Sequence, residues 1–168
     1  ACLQLLLKAK ADMKATTKSG DSAFLVAVSK GHTTCLQLLL DAKADINATN
    51  RIGTTASIFA AGEGHTGCLQ LLLAAKADIN AADNTGETAS IWAAIRGHTE
   101  CLQLLLDAKA NFNSANKDGS TALIAAADNG RLECLQLLID AKARIDAMDK
   151  TGGTASIMAT MKGHTACL

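Results

Sequence analysis

Six cysteines and four histidines are the residues of this chain best suited to chemistry. Cys2, Cys35, Cys68, Cys101, Cys134 and Cys167 are each separated from the next by 33 residues. Thiolates can ligate zinc, pair as disulfides or act as nucleophiles. The spacing speaks against the first two. Zinc takes ligands a few residues apart or brought together in space, whereas equivalent positions on stacked helices lie about 8–10 Å apart, too far for one metal or for a disulfide. Each Cys precedes a Leu, and the first five open a CLQLL run, where a thiol acts as a small hydrophobe. Six unpaired thiols favour an intracellular reducing compartment, and the chain shows no secretory signal. His32, His65, His98 and His164 each follow a Gly, and Arg131 takes the same slot in one copy. A slot that accepts Arg does not depend on imidazole acid–base chemistry. No Ser/His/Asp or Cys/His set stands out from the repeated background, and no glycine loop fit to cradle phosphate is present. The chain reads as no enzyme, with no metal and no cofactor.

Composition narrows the partners. Sixteen basic residues balance sixteen acidic ones, so no net field recruits nucleic acid or an anionic membrane. The longest apolar runs, such as Leu5-Leu6-Leu7, are far too short to span a bilayer. Hydrophobic residues make up 49 % but aromatics only 2 %, so a core must be built from Leu, Ala, Ile and Cys.

The elements that must position these residues recur with the cysteines. Gly53, Gly86, Gly119 and Gly152 each precede a Thr by two residues, and Ala-Asp-Ile-Asn occurs at 44–47 and 77–80. Within one period, Thr55 to Ala61 is short and Ala-rich, which predicts a two-turn helix with Thr55 as N-cap and Gly62-Glu63-Gly64 as its end. Thr66 to Ala75 predicts a second helix with Leu69, Leu72 and Leu73 on one face and Gln70 pointing away. Lys76 to Gly86 carries the Asn, Asp and Gly of a hairpin-like turn. One such unit cannot bury its apolar face alone, so neighbours must stack on it.

The period and these residues resemble the ankyrin repeat. The match rests on Gly53-Thr54-Thr55-Ala56-Ser57-Ile58, Ala60-Ala61, Gly64-His65, Leu71-Leu72-Leu73 and Lys76-Ala77-Asp78-Ile79-Asn80-Ala81, repeated over essentially the whole chain. The resemblance implies an all-α helix-turn-helix solenoid with β-hairpin or turn connections. The units fall at 17–49, 50–82, 83–115 and 116–148, with a second-helix half-unit at 1–16 and a first-helix half-unit at 149–168. Three slots depart from the family pattern. Its Pro is Ala in every unit (Ala23, Ala56, Ala89, Ala122, Ala155). Its His is Leu25, Ile58, Ile91, Ile124 or Ile157, so packing must replace a hydrogen bond. The Gly after the second helix is Lys10, Lys43, Lys76, Lys109 or Lys142. A left-handed Lys there costs about 1 kcal/mol, partly offset by the helix dipole.

Function is legible where the repeats disagree. The mid-helix slot reads Val26, Phe59, Trp92, Ala125, Met158, and the next variable slots read Ser29, Gly62, Ile95, Asp128, Met161 and Lys30, Glu63, Arg96, Asn129, Lys162. The resemblance implies that first helices and hairpin tips line a concave face where other proteins bind. Phe59, Trp92, Ile95, Arg96, Met158 and Met161 are therefore the expected partner-binding residues, with Arg51 and Ile52 on a hairpin tip. Trp and Arg are enriched at interface hot spots. The expected function is a protein-interaction scaffold, either an accessory subunit of a larger assembly or a segment of a longer repeat protein. A structural spacer, or the regulatory arm of an enzyme whose catalytic domain lies elsewhere, are the alternatives. The chain opens inside a Leu-rich helix and stops at Cys167-Leu168, where another would begin. Both ends are expected to be uncapped and open to a partner or to further repeats. The resemblance also marks Asn47 and Asn80 as possible substrates of asparaginyl hydroxylation, against a plain role as turn braces.

Overall fold

The computed structural model describes residues 2–167. Over these residues the chain forms α1 (Cys2–Lys8), α2 (Ala23–Ser29), α3 (Thr33–Asp41), α4 (Ala56–Gly62), α5 (Thr66–Ala74), α6 (Ala89–Arg96), α7 (Thr99–Asp107), α8 (Ala122–Asp128), α9 (Leu132–Asp140) and α10 (Ala155–Lys162), then a single 3-10 turn at Thr165–Cys167. The even-numbered helices stack on one another in one layer and the odd-numbered helices in a second. This is the all-α solenoid expected from the period.

Each even helix starts the same way. The hydroxyl of Ser22, Thr55, Thr88, Thr121 or Thr154 accepts the backbone N–H three residues on, at 3.3–3.4 Å, which satisfies one orphan donor of the first turn. Ala follows each cap where the family has Pro, and the helix forms without the preset φ. The next slot but one, where the family has His, is apolar and buried at Leu25, Ile58, Ile91 and Ile124. Ala27, Ala60, Ala93, Ala126 and Ala159 are all buried, a slot that holds nothing larger than a methyl. The odd helices bring Leu36, Leu69, Leu102 and Leu135, then Leu39, Leu72, Leu105 and Leu138, into the core, each burial contributing about 1.5–3 kcal/mol. At the two ends the same slots lose their cover. Leu6 is 55 % exposed where Leu39 is 1 %, and Ile157 is 45 % exposed where Ile91 is 1 %.

The odd helices close as Schellman motifs. In α3 the Ala44 N–H reaches the Leu39 carbonyl and the Lys43 N–H the Leu40 carbonyl, both at 2.9 Å. The residue that turns the chain is Lys, and Lys10, Lys43, Lys76, Lys109 and Lys142 all take the left-handed conformation, with φ between 59° and 64°. The connections back to the even helices are hairpins closed by a single antiparallel bridge (Thr16 with Ser22, Thr49 with Thr55, Ala82 with Thr88, Ala115 with Thr121) rather than by ladders. Their turns are held from within. The Oδ1 of Asn50, Asp83, Asn116 or Asp149 accepts the N–H groups two and four residues on. Each hairpin is tied to the next by one backbone bond, such as Asn84 N–H to the Ile52 carbonyl at 2.9 Å.

Candidate functional site

The hairpin row and the even helices form one face, and two depressions open on it. The first holds about 250 Å³ and is lined by Ile52, Phe59 and Trp92, with Asn50, Asp83, Glu63 and Arg96 at its polar rim. The indole packs against α4 beside Gly62. A Cβ added there would meet Trp92 Cβ, Cε3 and Cδ2 at 3.5–3.7 Å, so the ring lies against the bare backbone of α4. Trp92 is half-buried, and its Nε1 is buried without a hydrogen-bond partner. A donor in that state carries a desolvation cost of about 1–3 kcal/mol. The Arg96 guanidinium sits over the ring, 5.6 Å from its centroid, a cation–π arrangement worth about 0.5–1 kcal/mol at an exposed site. Arg96 itself is exposed, so the stacked fork presents its donors to solvent.

The second depression, about 310 Å³, lies one repeat on. Ile91, Ile124 and Ala125 form its floor, Ile95 and Met158 its apolar walls, and Glu87, Asp128 and Asp149 part of its polar rim. Burial raises the Glu87 carboxyl above the usual range; the hydrogen bond from Asn116 opposes this, and the Asp83 and Asp118 carboxylates add to it. Asp149 goes the other way, held low by the Thr151 hydroxyl and the Gly153 and Thr151 N–H groups.

The structure thus brings Ile52, Phe59, Trp92 and Arg96 to one depression, and Ile95 and Met158 to the next. Two of the expected residues stand apart. Met161, 73 % exposed, lies with Ser156, Ile157 and Thr160 on the outer side of α10. Arg51 is exposed on its hairpin, its Cγ against Gly20 of the preceding one. Reading the variable slots did not single out the carboxylates Glu63, Asp83, Glu87, Asp128 and Asp149. The usable signal was the slot after each hairpin Gly, which reads Asp21, Thr54, Glu87, Ser120, Gly153 and holds its one Glu beside Trp92's helix.

The regular rows are structural. His65 donates from Nε2 to the Ser29 carbonyl at 3.2 Å, and His164 to the Asp128 carbonyl at 3.1 Å; a carbonyl only accepts, so Nε2 carries the proton. Arg131 places its Nε 3.1 Å from the Ile95 carbonyl and does the same work. Cys68, Cys101 and Cys134 are buried, and burial raises each thiol, which opposes thiolate chemistry. Asn47, Asn80 and Asn113 accept the Asp78, Asn111 and Arg144 N–H groups through Oδ1 at 3.2, 2.8 and 3.0 Å, so each braces the following hairpin. Among the described residues, no group of three or more His, Cys, Asp or Glu could hold a metal ion, and no helix is long and apolar enough to cross a membrane.

A family model described as ankyrin repeats (3 copies) matches residues 1–83 and 59–149. No curated protein matches the chain.

Proposed function

The chain belongs to the ankyrin-repeat family, and from that premise we propose that it is a protein-interaction scaffold whose partner docks on the face made by the even helices and hairpin tips. Ankyrin repeats are protein–protein interaction modules, typically without catalytic activity. The finer reading makes this chain an accessory subunit of a larger assembly or a segment of a longer array. The carrying observation is that Ile52, Phe59, Trp92 and Arg96 line one depression, with the guanidinium stacked on the indole and open to solvent. An aromatic pair beside an Arg is the composition of an interface hot spot. Met158 and Ile95 extend the apolar strip, and Arg51 and Met161 stand at its margins. The apolar side chains at the two ends, Leu5, Leu6 and Ile157, are a further surface for a partner or for adjoining repeats. The free thiols support an intracellular, reducing location.

The test is affinity capture from the source cells with the native chain and with a Phe59→Ala/Trp92→Ala variant, after circular dichroism shows both folded. Specific partners recovered by the native chain and lost from the variant support the site. Equal recovery removes it. A structural spacer is the second reading, favoured by one observation: Trp92 packs on Gly62 of the neighbouring repeat, as an ordinary core residue would.

A further inference from the structure

The mid-helix slot of the even helices reads Val26, Phe59, Trp92, Ala125, Met158. From Phe59 on, only Ala125 is small, and it leaves a gap in a row of large side chains. The second depression fills that gap. Its floor is apolar (Ile91, Ile124, Ala125), its walls include Met158 and Ile95, and its rim carries Glu87, Asp128 and Asp149. One cation of the chain already approaches: Lys162 Nζ stands 3.8 Å from Asp128 Oδ1. Among the described residues, no Lys, Arg or His nitrogen lies within 4.0 Å of the Glu87 or Asp149 carboxylate.

We propose that this depression receives a lysine or arginine side chain of a protein partner, its aliphatic stem on Ile124, Ala125 and Met158 and its charged head among Glu87, Asp128 and Asp149. The inference rests on the concave-face reading above and adds the chemistry of the partner. A side chain with an apolar stem and a charged tip matches a pocket with an apolar floor and an acidic rim. A purely apolar anchor would cover the carboxylates without compensating them, and an acidic or phosphorylated segment would meet like charge. The Glu87 carboxyl, already disfavoured as an anion by burial and by Asp83 and Asp118, gains most from an added cation.

The experiment selects binders from a displayed library of random peptides against the 168-residue protein, then measures synthetic peptides by calorimetry. Two variants probe the pocket. Ala125→Phe fills it with the residue that the equivalent slot holds at Phe59. Glu87→Gln/Asp149→Asn removes the two rim charges that have no cation of the chain beside them, leaving Asp128 with Lys162, and Asn is the native residue at the equivalent positions Asn50 and Asn116. The expected binders share a Lys or Arg. Replacing it with norleucine, or binding to either variant, weakens affinity by about tenfold or more, the size of one close charge pair. Binders without a basic residue, or binders indifferent to both variants, overturn the proposal. If such binders are still weakened by Trp92→Ala, the concave-face reading stands without it. Binders indifferent to every one of these changes, or no binders at all, overturn both.

Discussion

His65 reaches from one repeat into the one before, its Nε2 donating to the Ser29 carbonyl at 3.2 Å. That carbonyl belongs to the last turn of α2, where helix carbonyls have no intrahelical donor. His65→Ala leaves the acceptor to water and is expected to lower stability by about 1 kcal/mol. His65→Arg should cost less than half as much, because Arg131 makes the equivalent bond to Ile95. Urea unfolding followed by Trp92 fluorescence measures both. Equal loss in the two variants would mean that the imidazole contributes by packing rather than by this bond.

Two glycines near His65 are expected to behave oppositely. Gly64 has φ 71°, and an added Cβ would lie 2.7 Å from His98 Nδ1. Gly64→Ala is therefore expected to cost more than about 1 kcal/mol. Gly62, inside α4, meets Trp92 only at ordinary contact distance. Gly62→Ala should stabilise by about 0.5–1 kcal/mol through helix propensity. Thermal unfolding of both variants checks the opposite signs.

Lys76 turns the chain after α5 with φ 61°. A Cβ in this region is strained, and glycine is not. Lys76→Gly is expected to raise stability by up to about 1 kcal/mol, read as a higher urea midpoint at unchanged slope. No rise would mean that the relief of strain is cancelled by the lost helix-dipole attraction of the ammonium and by the extra freedom of Gly in the unfolded chain.

Thiol reactivity should sort by position. Cys2 is exposed, Cys35 and Cys167 are half-buried, and Cys68, Cys101 and Cys134 are buried with raised thiols. Alkylation with iodoacetamide at neutral pH, read by peptide mass spectrometry, is expected to label Cys2 first and the three buried thiols only after unfolding. A raised pKa keeps the neutral thiol to higher pH. Folding is therefore destabilised as pH rises above the ordinary thiol range, where the unfolded chain ionises and the native one does not. Early labelling of Cys101 in the native protein would contradict the packed arrangement.

Much of this architecture was legible because packing slots repeat. Thr55 as a cap, the Leu69 and Leu72 face and the outward Gln70 follow from local rules applied once and then multiplied; the left-handed lysines follow from the Gly that the ankyrin repeat carries in that slot. Phe59, Trp92 and Arg96 stood out with Ile95, Met158 and Met161, and Ile52 with Arg51 on a tip, because these slots vary while the packing slots do not; that Ile52, Phe59, Trp92 and Arg96 share one depression was not legible. What escaped depends on contacts between copies. The pocket beside Ala125 is made by the absence of a side chain, and an Ala in an Ala-rich helix carries no signal of that kind. Nor does the text of the chain reveal that Arg131 substitutes for histidine at a distant carbonyl, because the two residues are 36 apart. The separate placement of Met161 and Arg51 depends on which helices and hairpins flank them.

The bonds that fasten the stack share one reach. His65 to Ser29, Asn47 to Asp78 and Asn84 to Ile52 each span about one period and no more. Nothing measures the total length of the array. A block of 33 residues excised or inserted at a hairpin therefore leaves the backbone joints of the hairpins a counterpart of the same kind, while side chains such as Trp92 on Gly62 meet a new neighbour, so the array can change reach in whole-block steps.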